Sequence, residues 1–191
     1  PRNDLKRAQM EYALGKLARK KTKQAQEAYA AVVKGQKFSS EKAQALADYI
    51  AIRLIRTESD SLAQWRDAKT KTSQDLPLIE SRIRLSIQNG DWKGVQKWIA
   101  VLNEQEQATL RWQYWIGRSE IALGNEVAGK QRLAKLVGQR NFYSVAAANT
   151  IGQSIKYPSS SVKLDKKVIQ PYQKSLARIH ELIKTDKIAA A

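Results

Sequence analysis

The chain has 191 residues, enough for one large domain or two small ones, and its 42% hydrophobic content with five tryptophans excludes an intrinsically disordered protein. No apolar run approaches the ~20 residues needed to cross a bilayer, the opening Pro1-Arg2-Asn3-Asp4-Leu5 is not a secretory leader, and the absence of cysteine excludes a disulfide framework and cysteine-based metal sites. With 34 Lys+Arg against 18 Asp+Glu the net charge is +16, which points to a polyanionic partner; nucleic acid and carboxylate-bearing cell-wall glycan satisfy that condition equally.

Helix formers dominate, and apolar residues recur at spacings of three and four rather than two, which predicts an all-α protein. Segments from about Asp4 to Arg19 and from Thr22 to Lys34 read as the first two helices, with Gly35 as the expected C-cap. Ser39-Ser40 provide N-cap chemistry for a helix over Glu41 to Arg56, with Leu46, Tyr49, Ile50 and Leu54 along one side. Asp75-Leu76-Pro77 opens another, since proline is tolerated in a first turn, and Ile79, Ile83 and Ile87 recur at i+4 until Asn89-Gly90 stops it. Asp91 caps the next helix, in which Val95, Trp98, Ile99 and Leu102 share one face. Asn103 with Glu106 resembles a capping box for a helix from Glu104 to Leu123. That helix is apolar on several sides, so it is expected to lie between two others and to be the most buried.

The Gly90-Asp91 turn recurs as Gly124-Asn125 after 34 residues, with Ile99 matched by Leu133 and Leu102 by Leu136. The spacing is that of tetratricopeptide repeats, but Trp98 falls opposite Arg132 and Val95 opposite Gly129, so the pattern supports stacked antiparallel helical hairpins, a solenoid or superhelix, more firmly than that particular repeat. After Gly152 the pattern fails. Tyr157-Pro158-Ser159-Ser160-Ser161 is a linker signal, and Pro171 opens a last helix to about Lys184 with Leu176, Ile179, Leu182 and Ile183 on one face. The expected organisation is a helical scaffold over 1–152, a linker over 153–170, and the start of a following helical domain over 171–191.

Two stretches carry a resemblance. The first is Trp65-Arg66-Asp67-Ala68, then Leu78-Ile79-Glu80-Ser81-Arg82-Ile83-Arg84-Leu85, Gly90-Asp91-Trp92 and Trp98-Ile99-Ala100-Val101-Leu102. The second is Arg111-Trp112-Gln113-Tyr114-Trp115, Ala122-Leu123-Gly124, Arg140-Asn141-Phe142-Tyr143-Ser144-Val145-Ala146-Ala147 and Ile151-Gly152. In order and spacing they resemble the soluble lytic murein transglycosylases, whose long helical ring precedes a lysozyme-like catalytic domain. The resemblance implies a periplasmic parent enzyme that cleaves the glycan bond after N-acetylmuramic acid without water, leaving a 1,6-anhydro end. The leader peptide is absent from this chain. The implied partners are peptidoglycan, the catalytic domain of the same parent chain and other cell-wall proteins, with no nucleic acid, no membrane span and no cofactor.

The family's catalytic acid is a glutamate followed by serine, with a Gly-Leu-Met-Gln run downstream. Glu58-Ser59 and Glu80-Ser81 offer the dipeptide, but the only methionine is Met10, so neither pair is followed by that run and no catalytic residue is assigned. Glu80, between Ile79 and Ile83, reads as the solvated or ion-paired face of an amphipathic helix. His180 is the lone histidine and cannot form a metal cluster or a Cys–His dyad. Gly117, Gly124 and Gly129 lack the preceding strand and the Gly-Lys-Ser/Thr of a phosphate loop, and read as close helix packing. Trp98 and Trp115 lie on apolar stripes and read as core, whereas Trp92 stands at a helix start and is open to contact. Lys16, Arg19, Lys20, Lys21 and Lys23 form a basic cluster that reads as a solvated face. Arg82, Arg84, Lys93, Lys97 and Arg111 recur through the best-matched region and, with Trp92, are the candidate substrate contacts. Two other functions fit a basic stack of helices. One is an adaptor that docks a protein or peptide on its concave surface; the other is a nucleic-acid module, for which no recognition helix or aromatic-basic motif is present.

Overall fold

The computed structural model describes residues 2–155 and 166–184, and among them every regular element is a helix. The chain divides into two compact units, 1–156 and 157–191. The first contains α1 (Arg2–Lys20), α2 (Thr22–Gln36), α3 (Ser40–Ala51) with a 3₁₀ turn at Ile52–Leu54, α4 (Asp60–Thr70), α5 (Leu76–Gln88), α6 (Trp92–Ile99), α7 (Glu104–Gln107), α8 (Leu110–Ala122), α9 (Glu126–Ala134) and α10 (Phe142–Ile151). Short connections force antiparallel neighbours, and α1 packs on α2, α3 on α4, α5 on α6 and α8 on α9. The second unit contains α11 (Lys166–Ile169), a 3₁₀ turn at Gln170–Tyr172 and α12 (Gln173–Lys184). Helix therefore begins before Pro171, and the Tyr157–Ser161 linker signal lies outside the described residues.

The predicted caps form. Ser39, Asp75, Asp91 and Asn103 each accept a hydrogen bond from the backbone N–H three residues on, at 3.2, 3.0, 2.9 and 2.9 Å. Two local expectations in the first unit fail. Helix α2 does not close at Gly35, which lies inside it; the left-handed residue is Lys37, at φ 50°. The amide of Phe38 donates to the Val33 carbonyl and that of Lys37 to the Lys34 carbonyl, which is the Schellman pattern, and both Val33 and Phe38 pack on the first core. Burying Phe38 fixes where the helix stops, so a lysine takes a conformation that glycine adopts freely. Lys37→Gly is expected to raise stability by about 0.5–1 kcal/mol in urea unfolding.

The second failure is the single helix expected over Glu104 to Leu123. The chain breaks at Thr109, whose extended backbone (φ −65°, ψ 149°) starts α8 afresh. Side chains satisfy the carbonyls around the break: Thr109 Oγ1 donates to Glu106, Gln113 Nε2 to Gln107 and Gln107 Nε2 to Leu102. From Leu110 to Ile121 no residue of α8 is exposed, and the helix packs against α6, α9 and α10, as its all-round apolar sequence predicts.

The 34-residue period is structural. Adding 34 carries α5 (76–88) onto α8 (110–122) and α6 (92–99) onto 126–133 of α9. The turns repeat bond for bond: Gly90 donates to Ile87 and Asp91 to Ser86, as Gly124 does to Ile121 and Asn125 to Glu120. Gly90 and Gly124 both have positive φ, 65° and 90°. Where the first hairpin packs Ile83 and Val95, the second has Gly117 and Gly129 at the equivalent positions, and its helix backbones approach closely.

Three buried clusters follow the chain. Leu14, Tyr29, Leu46, Ile50 and Leu54 centre the first, between α1 and α4. Ile79, Ile83, Val95, Trp98, Ile99 and Trp112 form the second, and Tyr114, Leu133, Leu136 and Ala147 the third. Trp98 is 1% exposed, which makes it core, as its position on the apolar stripe predicts. Trp115 is only partly buried and touches both the second and third clusters.

Candidate functional site

Helix α5 carries Arg82 and Arg84, two residues apart and so roughly 200° apart around the helix axis. They serve opposite sides. Arg82 turns toward α4, where Nε and Nη2 donate to the two carboxylate oxygens of Asp67 at 2.8 and 3.1 Å, while Nη1 donates to Ser86 Oγ at 2.9 Å. Arg66 donates to the same carboxylate at 2.8 Å and, through Nη1, to the carbonyls of Leu54 and Ile55 at 3.2 and 2.7 Å. Burial alone would raise the Asp67 pKa, but the hydrogen bonds and charges of Arg82 and Arg66 outweigh it and hold the carboxyl below its ordinary value. Ser86 passes the network to Asp91, which caps α6. One polar chain thus runs from the turn after α3 through α4 and α5 to the start of α6, between the first and second apolar cores. Arg56, Arg66, Arg82, Ser86 and Asn89 line a cleft of about 410 Å³ beside it.

Arg84 and Arg111 share Glu80 on the other side of α5. Arg84 Nη1 donates to Glu80 Oε2 at 3.3 Å and Nη2 to Ser81 Oγ at 3.2 Å. Arg111 Nη2 lies 2.6 Å from Glu80 Oε1, a charge contact without hydrogen-bond alignment, so that buried nitrogen has no aligned acceptor. The Arg111 guanidinium stacks over Trp112 at 4.2 Å. These groups open onto a cleft of about 290 Å³ walled by Arg84, Ile87, Gln88, Arg111, Trp115 and Tyr143, with Trp112 beneath. Glu80 is ion-paired, the second of the two readings, solvated or ion-paired, that its place in the helix allows.

The candidate contacts therefore do not form one surface. Arg84 and Arg111 meet at Glu80. Arg82 and Lys97 both lie 4.8 Å from the Trp98 ring centroid. Trp92 and Lys93 occupy the first turn of α6, Trp92 half-buried against the second core and Lys93 exposed. Arg82 has 12% of its side chain exposed and its donors are committed within the protein, whereas Arg84 has 52% exposed. Lys16, Arg19, Lys20, Lys21 and Lys23 are all exposed, with Arg19 donating to Tyr49 Oη at 3.2 Å. Glu58 lies in the exposed loop before α4, and His180 is exposed on α12. Among the described residues no group of three or more His, Cys, Asp and Glu could hold a metal ion, and no helix is long and apolar enough to cross a membrane.

Sequence reasoning missed Gln88, Trp115 and Tyr143 as cleft residues. Part of the signal was present, because Arg84–Gln88 and Arg111–Trp115 are both i,i+4 pairs and each must share a helix side. That the two sides face one another was not readable. Nor was Tyr143, which reaches the cleft from α10 and continues an aromatic ladder: Trp115–Tyr114, Tyr114–Tyr143 and Tyr143–Phe142 ring centroids lie 5.2, 5.7 and 5.2 Å apart.

No family model matches the chain. It is 30% identical over 183 residues to the soluble lytic murein transglycosylases of Salmonella typhimurium and Escherichia coli K12, matched over 94% of its own length and 28% of theirs. The crystal structure of the 70-kDa soluble lytic transglycosylase from Escherichia coli superimposes with a TM-score of 0.74 at 29% identity, covering 94% of this chain and 29% of that one. A 70-kDa soluble lytic transglycosylase solved in complex with bulgecin A gives the same TM-score and identity. The Slt transglycosylase of Pseudomonas aeruginosa shares the fold, with a TM-score of 0.65 at 24% identity. The chain spans less than a third of the length of the curated relatives it matches. By sequence and by fold the chain is similar to one helical stretch of the soluble lytic murein transglycosylases.

Proposed function

We propose that this chain is a non-catalytic helical scaffold of a periplasmic lytic murein transglycosylase, one that supports or grips an anionic glycan strand while a catalytic domain of the parent protein cleaves it to 1,6-anhydro-muramyl products. The observation that carries the reading is the match over 94% of the chain to transglycosylases. The 34 Lys+Arg against 18 Asp+Glu supply the long-range attraction such a strand needs. The scaffold comprises the superhelical hairpins of 1–152; the linker (153–170) and the start of a following helical domain (171–191) would lead onward. Neither Glu-Ser pair sits in a catalytic setting. Glu80 is ion-paired with Arg84 and Arg111, and Glu58 lies exposed in a loop.

The test is sedimentation with insoluble purified murein. The chain is expected to pellet with it, to be released as salt rises, and to liberate no anhydro-muropeptides. Release of anhydro products that Glu58→Gln or Glu80→Gln abolishes would make the chain an enzyme and end the scaffold reading. Failure to pellet, together with tight binding to a protein partner, would favour an adaptor. Preference for a duplex oligonucleotide, with affinity falling steeply in salt, would favour nucleic acid.

A further inference from the structure

We infer that the cleft between α5, α8 and α10 is a binding site for a saccharide ring that carries a carboxylate. The inference rests on the murein reading for its ligand source, but its chemistry comes from the cleft. Two guanidinium groups, Arg84 and Arg111, face one carboxylate, Glu80, so the local sum is +2 − 1 = +1. Neither arginine is fully used. Arg84 has half its side chain in solvent and donates only through Nη1 and Nη2, and Arg111 keeps a third of its side chain exposed while its buried Nη2 faces Glu80. A single carboxylate suits this arrangement, because it neutralises the excess charge and accepts from the exposed N–H groups of the two guanidinium groups.

The walls suit a sugar. Trp115 and Tyr143 are half-buried, so each keeps part of its ring open, and contact with Tyr114, edge-to-face for Trp115 and tilted at 47° for Tyr143, fixes their orientation before any ligand arrives. Sugar rings lay their C–H faces on such surfaces, and Gln88 contributes an amide that both donates to and accepts from hydroxyl or acetamido groups. The volume, about 290 Å³, sits at the lower end of the ~300–1,000 Å³ typical of small-ligand sites and fits a short saccharide rather than a long strand. A nucleotide also stacks on aromatic rings, but its phosphate dianion exceeds the single unit of charge on offer.

The experiment follows the Trp indole and Arg Nε signals of the whole chain by NMR during titration with N-acetylmuramic acid, N-acetylglucosamine or uridine monophosphate. N-acetylmuramic acid is expected to shift the Trp115 and Arg84 signals saturably. N-acetylglucosamine, which has the same ring without the lactyl carboxylate, should bind roughly threefold more weakly, and Arg84→Gln should remove that difference, as expected for one exposed charged contact. Circular dichroism checks that the variant remains folded. Equal binding of the two sugars to the unaltered chain, stronger binding of the nucleotide, or shifts confined to residues away from Trp115 would each overturn the assignment. Murein sedimentation separates the two readings. A chain that pellets with murein but shows no response to N-acetylmuramic acid loses this cleft and keeps the scaffold role. A chain that binds the sugar acid but never pellets loses the scaffold role alone.

Discussion

Asp67→Ala is expected to destabilise the first unit by about 3 kcal/mol, at the lower end of the cost of breaking a buried ion pair because a quarter of the Asp67 side chain still meets solvent. The loss is large because one carboxylate serves two guanidinium groups, with Arg66 and Arg82 only 5% and 12% exposed. Removing it leaves two cations side by side, neither able to reach water freely. For a unit of this size the thermal midpoint should fall by roughly 6–12 °C. The pH dependence identifies the cause. Because the folded-state pKa of Asp67 is lowered, its stabilisation is complete above the ordinary aspartate value and drains away as the pH falls through the lowered one. Asp48 acts in the opposite sense. Burial is the largest cause of its raised pKa, so its protonation favours the folded state as the pH falls. Urea unfolding between pH 6 and 3 should therefore show, relative to the native chain, less loss of stability with falling pH in Asp67→Asn and more in Asp48→Asn. An Asp67→Asn variant that keeps the native slope would assign the acid sensitivity to other carboxyls.

The second large effect is expected at Gly129. A Cβ there would stand 2.6 Å from the Gly117 carbonyl oxygen and 3.0 Å from the Ile121 amide nitrogen, both main-chain atoms of α8. Backbone cannot rotate away as a side chain can, so Gly129→Ala must push α9 off α8, at a cost of about 3 kcal/mol and with disturbance of the third core around Leu133. Gly117→Ala should cost less. Its closest obstacles, at 2.7 and 2.9 Å, are Cδ2 and Cγ of the buried Leu133 side chain, which can shift by a few tenths of an ångström more readily than main chain, while the Gly129 carbonyl lies at 3.3 Å. Chemical denaturation of the two variants should rank them in that order. The reverse ranking would mean that the close approach of α8 and α9 is not set by main-chain contact at Gly129. The same pair explains why the repeat looked degenerate: glycine opposite Val95 is a different solution to the same packing problem, with contact made by backbone instead of methyl groups.

Much of the fold was written locally. Cap residues and apolar spacings act over one or two turns, so Ser39, Asp75, Asp91 and Asn103 mark their helix starts without knowledge of anything distant. Gly90 and Gly124 likewise announce their turns because positive φ is cheap only for glycine. The two misplaced boundaries had non-local causes. Lys37 takes the left-handed position that Gly35 was expected to serve because Phe38 belongs to a core assembled from α1 to α4, and α8 restarts at Thr109 where side chains from both sides satisfy the interrupted carbonyls.

The sequence by itself therefore determined the helical class, the hairpin repeat, the caps and the excess of positive charge, since each depends on residue type and short spacing. Which charges are free was decided by tertiary structure. Arg82 and Arg84 are indistinguishable in a list of basic residues, yet one is locked against Asp67 between two cores and the other stands half in solvent at the mouth of an aromatic cleft. That difference arises from where α4 and α8 lie on either side of α5. It is set by the sum of many distant apolar contacts, which no local pattern encodes.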